Sequence, residues 1–384
     1  MLETLAGKVA PLSWHVQVFA HPEQLLVMEP PVASGDADLV ACCLPGAAMT
    51  RPCILCWSTP RPGSTASTNS QSAAMFILRP PQVRQLTRFT TLPERFRTRT
   101  KSAWADANRG GRATDSFLEG PVFDRQGNLY VTDIPFGRVF RIDAAGEWTL
   151  VTEYDGEPNG MKFLDDQTLL ITDYKNGLMQ LDIASGQVRG YLERRNTERF
   201  RGVNDLVFDR AGNLYFTDQG QTGLHDPTGR LYRLRPSGQL DLLLSNVPSP
   251  NGVCLSPDES VLYLAVTRGN CVWRVPLLAD GSVAKVGQFF TSYGPSGPDG
   301  LAADAQGRLV VANPGLGYVW ILDARAEPVW VLRGPEGAST TNIAFGGADH
   351  KRLFVTDSTH GEVLYSDLEA PGLPLHRKHN QEIG

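Results

Sequence analysis

The stretch Phe117-Leu118-Glu119-Gly120-Pro121, followed by Leu129-Tyr130-Val131-Thr132-Asp133, decides the fold of this chain, because the same two-part phrase returns five more times. Each return sets one polar residue ahead of a short apolar run. Glu119, Asn159, Asn204, Asn251, Asp299 and Asn342 stand 10 or 11 residues before Leu129, Leu169, Leu214, Leu262, Leu309 and Leu353. The polar residues are 40, 45, 47, 48 and 43 positions apart. A period near 45 with several strands per unit is that of propeller blades, each stacked on its neighbours. Six units predict six blades.

Within a unit the apolar residues alternate, as in half-buried strands, and Gly, Asp and Asn between them mark tight turns. The first unit reads as strands over residues 120–123, 128–132, 137–143 and 147–153, and its third-strand phrase returns in the others, from Gly177-Leu178-Met179 to Gly361-Glu362-Val363. No segment of the repeat region shows a helical period. A propeller closes its ring by letting a strand from one terminus complete the blade made by the other, so a strand near residues 88–92 is assigned to the last blade. Residues 95–112 read as a basic loop. The expectation is an all-β, six-bladed β-propeller of four-stranded antiparallel blades over residues 75–370, closed by an N-terminal strand.

Residues 1–74 read differently. Pro45, Pro52, Pro60 and Pro62 break any period, and residues 64–72 form a Ser/Thr/Asn/Gln tract. Such a stretch buries too little apolar surface to offset its ordering entropy, so it is expected to be unstructured or a non-native extension. Translation beginning at Met75 would account for it, an idea that natural peptides from before Met75 would sink. The tail over 371–384 is expected to fray. Cys53-Ile54-Leu55-Cys56 has the spacing of half a zinc site, but no second pair stands at finger spacing, so it is assigned no metal or redox role.

The composition, 41% hydrophobic and 20% charged over 384 residues, suits a globular chain with a large core. A formal net charge of -5 gives no electrostatic reason to expect nucleic acid. No apolar run reaches the roughly 18 to 20 residues a membrane helix needs, no secretory signal is evident, and six scattered cysteines make no disulfide framework. A cytoplasmic protein acting on a small molecule is expected, with no membrane partner; oligomeric state is not legible.

If every blade begins with a strand facing the axis, the six polar residues converge on the mouth of the central channel. One Glu, one Asp and four Asn, with Asp205 beside Asn204, form a hard-oxygen set suited to Ca²⁺, Mg²⁺ or Mn²⁺. Pro158-Asn159-Gly160, Pro250-Asn251-Gly252 and Pro298-Asp299-Gly300 also match ordinary turn pairs. Glu119 is no turn former, however, and neither Asn204 nor Asn342 precedes glycine. The Thr-Asp pairs at 132–133, 172–173, 217–218 and 356–357 recur with the repeat and read as fasteners of the fold. Seven histidines come with no Ser/His/Asp order and no Gly-x-Ser-x-Gly elbow, which argues against a serine hydrolase.

The phrases Leu118-Glu119-Gly120-Pro121, Val203-Asn204-Asp205-Leu206, Pro250-Asn251-Gly252-Val253, Gly297-Pro298-Asp299-Gly300-Leu301 and the run from Thr341-Asn342 to Gly346, in this order, resemble those of the senescence marker protein, gluconolactonase and luciferin-regenerating enzyme family. The resemblance covers about residues 88–366. It implies one divalent cation at the channel mouth, calcium first, with magnesium, manganese or zinc as alternatives, and hydrolysis of a sugar lactone through a cation-activated water. By motif, Glu119, Asn251 and Asp299 are the implied ligands. Asp299 is also the implied catalytic base. Asn204, Arg201, Asn159 and Asn342 are the implied substrate-binding residues. Some relatives carry an arginine two residues before the asparagine of the third unit, Asn204, where this chain has Gly202, with Arg201 one step earlier. Two other readings stand beside this one: an organophosphate or phosphotriester hydrolase on the same site, and a non-catalytic propeller that binds a ligand or protein.

Overall fold

The computed structural model describes residues 80–376 and three short strands before them. The chain divides into two units, Met1–Met75 and Phe76–Gly384. In the first, His15–Val18 and Asp38–Cys42 pair antiparallel on either side of Ile54–Ser58. These three strands lie within the stretch expected to be unstructured, where runs such as Ile54-Leu55-Cys56-Trp57 carry strand-favouring apolar residues. The rest of that segment, including the tract at 64–72, lies outside the described residues.

The second unit is a six-bladed β-propeller. Blade one consists of Leu118–Phe123, Leu129–Asp133, Arg138–Ile142 and Trp148–Glu153, hydrogen bonded antiparallel in that order. The inner strands of blades two to six are Pro158–Phe163, Val203–Phe208, Pro250–Leu255, Leu301–Ala303 and Thr340–Gly346. Inner strands are buried almost throughout and the outermost are partly exposed, as expected where both faces of a blade pack on neighbours near the axis. Thr87–Thr91 is the fourth strand of blade six, antiparallel to Glu362–Asp367, and closes the ring as the sequence predicts. One addition was not legible: Gln82–Gln85 extends blade five as a parallel fifth strand beside Pro328–Arg333.

The apolar core lies between the blades. Leu118, Phe140 and Trp148 of blade one meet Phe354 and Val363 of blade six, and Val122 and Val139 meet Met161 and Ile171 of blade two. Equivalent wedges join each further pair around the ring. Each blade is thus held by area buried against two others.

Two segments differ from expectation. The basic stretch contains a short helix, Ala103–Asn108, started by Ser102, whose side chain accepts from the Ala105 amide at 3.1 Å. Its Trp104 packs on Phe117, ring centroids 4.7 Å apart. The tail, expected to fray, is tied down through His376. Gly372 donates to the His350 carbonyl at 2.9 Å, Leu373 to that of Ala303 at 3.0 Å, and His376 Nε2 lies 3.3 Å from Glu259. Leu373 and Leu375 pack on interblade wedges, which a frayed tail would leave uncovered. Residues 377–384 lie outside the described residues. No helix among the described residues is long and apolar enough to cross a membrane.

Candidate metal and substrate site

Five of the six ring residues stand where their strand is bulged. Register shifts occur between Glu119 and Val122, Pro158 and Met161, Val203 and Leu206, Pro250 and Val253, and Thr340 and Ile343. A bulge bends the strand and re-aims one side chain. In blade five, Asp299 precedes the regular strand but is bonded into its sheet, its amide donating to the Ala312 carbonyl at 2.9 Å. The glycines after these residues are not turn glycines. A Cβ on Gly120 would lie 2.1 Å from the Asn159 carbonyl oxygen, and one on Gly252 would lie 2.2 Å from that of Asp299. Glycine is required because the next blade's backbone passes at that point.

The Thr-Asp pairs fasten this arrangement, as the repeat implied. Thr132 Oγ1 donates to the Asn159 carbonyl at 2.8 Å and Thr217 Oγ1 to that of Asn251 at 2.8 Å, each staple joining one blade to the next ring residue. The aspartates hold loops: Asp133 accepts from the Phe117 amide at 2.7 Å and Asp218 from the Arg201 amide at 2.7 Å.

The structure brings Glu119, Asn159, Asn204, Asn251 and Asp299 together in the wall of one cavity of about 850 Å³. Asn342 stands behind them. Its Nδ2 donates to Glu119 Oε2 at 2.7 Å and its Oδ1 accepts from the Ile343 amide at 2.8 Å, so both ends of the amide are committed to positioning Glu119. Asn204 Nδ2 donates to Gln219 Oε1 at 3.0 Å, and Gln219 Nε2 donates to Ser249 Oγ at 3.0 Å. The remaining oxygens, Asn204 Oδ1 and Asn159 Oδ1, are buried with no hydrogen-bond partner. Arg201 is not brought into the cavity wall. Its guanidinium is drawn to Thr228 and lies 3.9 Å from Asp226.

Burial raises the proton affinity of Glu119, whose pKa rises to about 7 despite the bonds from Gly120 and Asn342. Asp299 is pushed well above the usual carboxylate range by burial, and then by the negative charges of Glu119 and Asp205. Asp205 is raised too, by burial, with the charge of Lys162 opposing. Two carboxylates and two unpartnered amide oxygens, nearly all acceptors, are what a hard divalent cation requires, and they fit one. Asp357, His360 and Glu362 form another cluster with metal-ligating atoms. Its members already have partners: Asp357 accepts from the Ser339 and Thr359 amides and meets His360 Nδ1 at 2.6 Å, and Glu362 pairs with Arg88 at 3.2 Å.

Several wall residues lie outside the repeat phrase and were not found from sequence: Trp104, Tyr174, Arg268, Tyr318 and Arg333. Burial pushes the Tyr174 phenol up to about 12. It therefore stays protonated, accepting from Gln221 Nε2 at 2.9 Å and keeping a hydrogen to donate.

A family model described as the SMP-30/Gluconolactonase/LRE-like region matches residues 117–359. Lactonase drp35 of Staphylococcus haemolyticus is 31% identical over 271 residues, spanning 65% of this chain and 82% of that protein. A gluconolactonase of Zymomonas mobilis is 30% identical over 272 residues, spanning 62% and 76%. Among solved structures, a calcium-binding protein, regucalcin, from Agrobacterium tumefaciens is 25% identical with a TM-score of 0.60, covering 76% of this chain and 97% of its own.

Proposed function

Because the chain belongs to the SMP-30/gluconolactonase/LRE-like family over residues 117–359, we propose that it is a metal-dependent hydrolase that opens a sugar lactone at the mouth of its central channel. The observation that carries this reading is the set of buried acceptor oxygens, the Glu119 and Asp299 carboxylates with the unpartnered Asn159 Oδ1 and Asn204 Oδ1, in the wall of a cavity large enough for a sugar ring. Similarity to lactonases at about 30% identity supports lactones over phosphotriesters as the substrate class. A purely structural role would leave two inward carboxylates with raised proton affinities unexplained.

Glu119, Asn251 and Asp299 would hold the cation, with Asn204 and Asn159 offering their free amide oxygens beside it. Calcium is the first choice for an oxygen-only set. When bound, a divalent cation supplies Lewis-acid polarisation of the lactone carbonyl and a lowered pKa for water. The chain's own residues do the rest. Asp299 accepts the proton of the attacking water at its carboxylate. Asn342 fixes one Glu119 oxygen, leaving the other turned to the site. Gln219, gripping Asn204 and Ser249, fixes which end of the Asn204 amide faces the substrate. Trp104, Phe117 and Tyr318 contribute apolar surface to the cavity wall.

Hydrolysis of aldonolactones, followed with and without chelator, tests the proposal. Asp299→Asn should lower kcat by about 10²- to 10⁴-fold, and chelation should abolish turnover until Ca²⁺, Mg²⁺, Mn²⁺ or Zn²⁺ is restored. Turnover indifferent to chelator and to Asp299→Asn would refute it.

A further inference from the structure

The cavity wall holds six charged residues: Glu119 and Asp299 in the ring, Glu336, and the arginines Arg109, Arg268 and Arg333. The arginines come from unrelated places: the C-terminal end of the short helix, the turn Thr267–Gly269 of blade four, and the end of the outer strand Pro328–Arg333 of blade five. Four well-buried arginines are matched to acids, Arg97 with Asp115, Arg138 with Asp133, Arg233 with Asp241 and Arg308 with Asp304. Among the described residues no carboxylate lies within 4.0 Å of Arg109, Arg268 or Arg333. Two of them are held instead by aromatic faces, Arg109 over Phe117 at 4.9 Å and Arg333 over Tyr318 at 5.0 Å. A guanidinium stacked in this way has its plane fixed and its N–H edge free to bind a planar or tetrahedral anion.

We propose that these three arginines make the cavity an anion-selecting one, and that the substrate is a sugar lactone bearing a carboxylate or phosphate on the part of the ring remote from the scissile ester. This rests on the lactone-hydrolase reading above. Once a divalent cation offsets the two ring carboxylates, the three guanidiniums outnumber Glu336 three to one and leave the cavity wall net positive. A lactone with an anionic substituent can therefore pair that group with the guanidiniums while its ester meets the ring. A neutral aldonolactone has nothing to offer them. Arg201, held by Thr228 and Asp226, cannot supply this charge.

The test compares gluconolactone with phosphogluconolactone and glucarolactone in wild type, in Arg109→Gln, Arg268→Gln, Arg333→Gln and the triple variant, and in Arg274→Gln as an exposed control outside the cavity. Wild type should prefer one of the anionic lactones by about tenfold or more in kcat/KM, each single substitution lowering that ratio several-fold and the triple variant bringing it near unity. Raising the salt should lower kcat/KM for the anionic substrate and spare the neutral one, a readout that needs no variant. Which anionic lactone wins separates a phosphate from a carboxylate. An anionic-to-neutral ratio near unity in wild type, or one the triple variant leaves unchanged, overturns the proposal. If no lactone turns over, calorimetry with gluconolactam and its phosphate and carboxylate derivatives decides. Tighter binding of an anionic lactam, lost in the triple variant, keeps the anion site and removes the hydrolase reading; equal binding removes the anion site.

Discussion

Glu119 sits in a local electrostatic conflict. Its carboxylate is buried, one oxygen is occupied by Gly120 and Asn342, and Asp299 and Asp205 add negative charge nearby. In the unfolded chain such a group ionises near pH 4.5, whereas in the metal-free fold it holds its proton to about 7. The native state therefore binds more protons than the unfolded state across that window, and the stability contributed by neutral Glu119 is complete below about 4.5 and lost as pH rises through about 7. The loss is on the order of 3 kcal/mol. Urea midpoints of chelator-treated protein between pH 4.5 and 7.5 should fall more in wild type than in Glu119→Gln; equal slopes would show that the glutamate is not the cause. Glu119 could be singled out from sequence because no turn calls for it. Asn342 could not be separated from Asn204, since an asparagine's letter does not say which end of the amide its neighbours will occupy. Arg109, Arg268 and Arg333 were invisible for another reason: they belong to no repeated phrase, and only the closed ring makes them neighbours.

At the scale of the element, the informative unit is the bulged inner strand. The sequence marked the polar position but offered two meanings for Asn-Gly and Asp-Gly, turn or ligand. The structure resolves this by a third: the pair lies in sheet, and the glycine answers a neighbour's backbone. Gly252→Ala places a methyl group 2.2 Å from the Asp299 carbonyl oxygen, and neither backbone can yield without moving the ring. We expect a cost of about 1–3 kcal/mol, read as a lower urea midpoint, together with weakened cation binding in a titration. An unchanged midpoint would mean that blade four can shift away from blade five. Strand positions within a blade were legible because alternation and turn residues are local signals. The short helix Ala103–Asn108 was not, because six residues give too little length for a period to appear.

The ring itself was legible from the count of six units and from the need to close it, since a missing partner strand had to come from the other end of the chain. Thr87–Thr91 fills that place, bringing Phe89 to 5.3 Å from Phe354 and leading into buried Leu92. A chain begun after Leu92 should lose about 3 kcal/mol or more from these side chains and expose the edge of Glu362–Asp367. Light scattering and a thermal melt check this; a monomer with an unaltered melt would contradict it. What sequence could not foresee is the far end of the channel. The tail from Gly372 to His376 passes from blades five and six to Glu259 of blade four, beside a cavity of about 130 Å³ lined by Pro121, Lys162, Val253 and Leu373. The tail thus shares the lining of that cavity with inner-strand residues of all six blades, and a channel stopped there would give reactant and product one doorway. On the lactone-hydrolase reading, turnover in such a vessel would be a matter of queueing: the opened acid would have to back out past the arginines before the next molecule could enter.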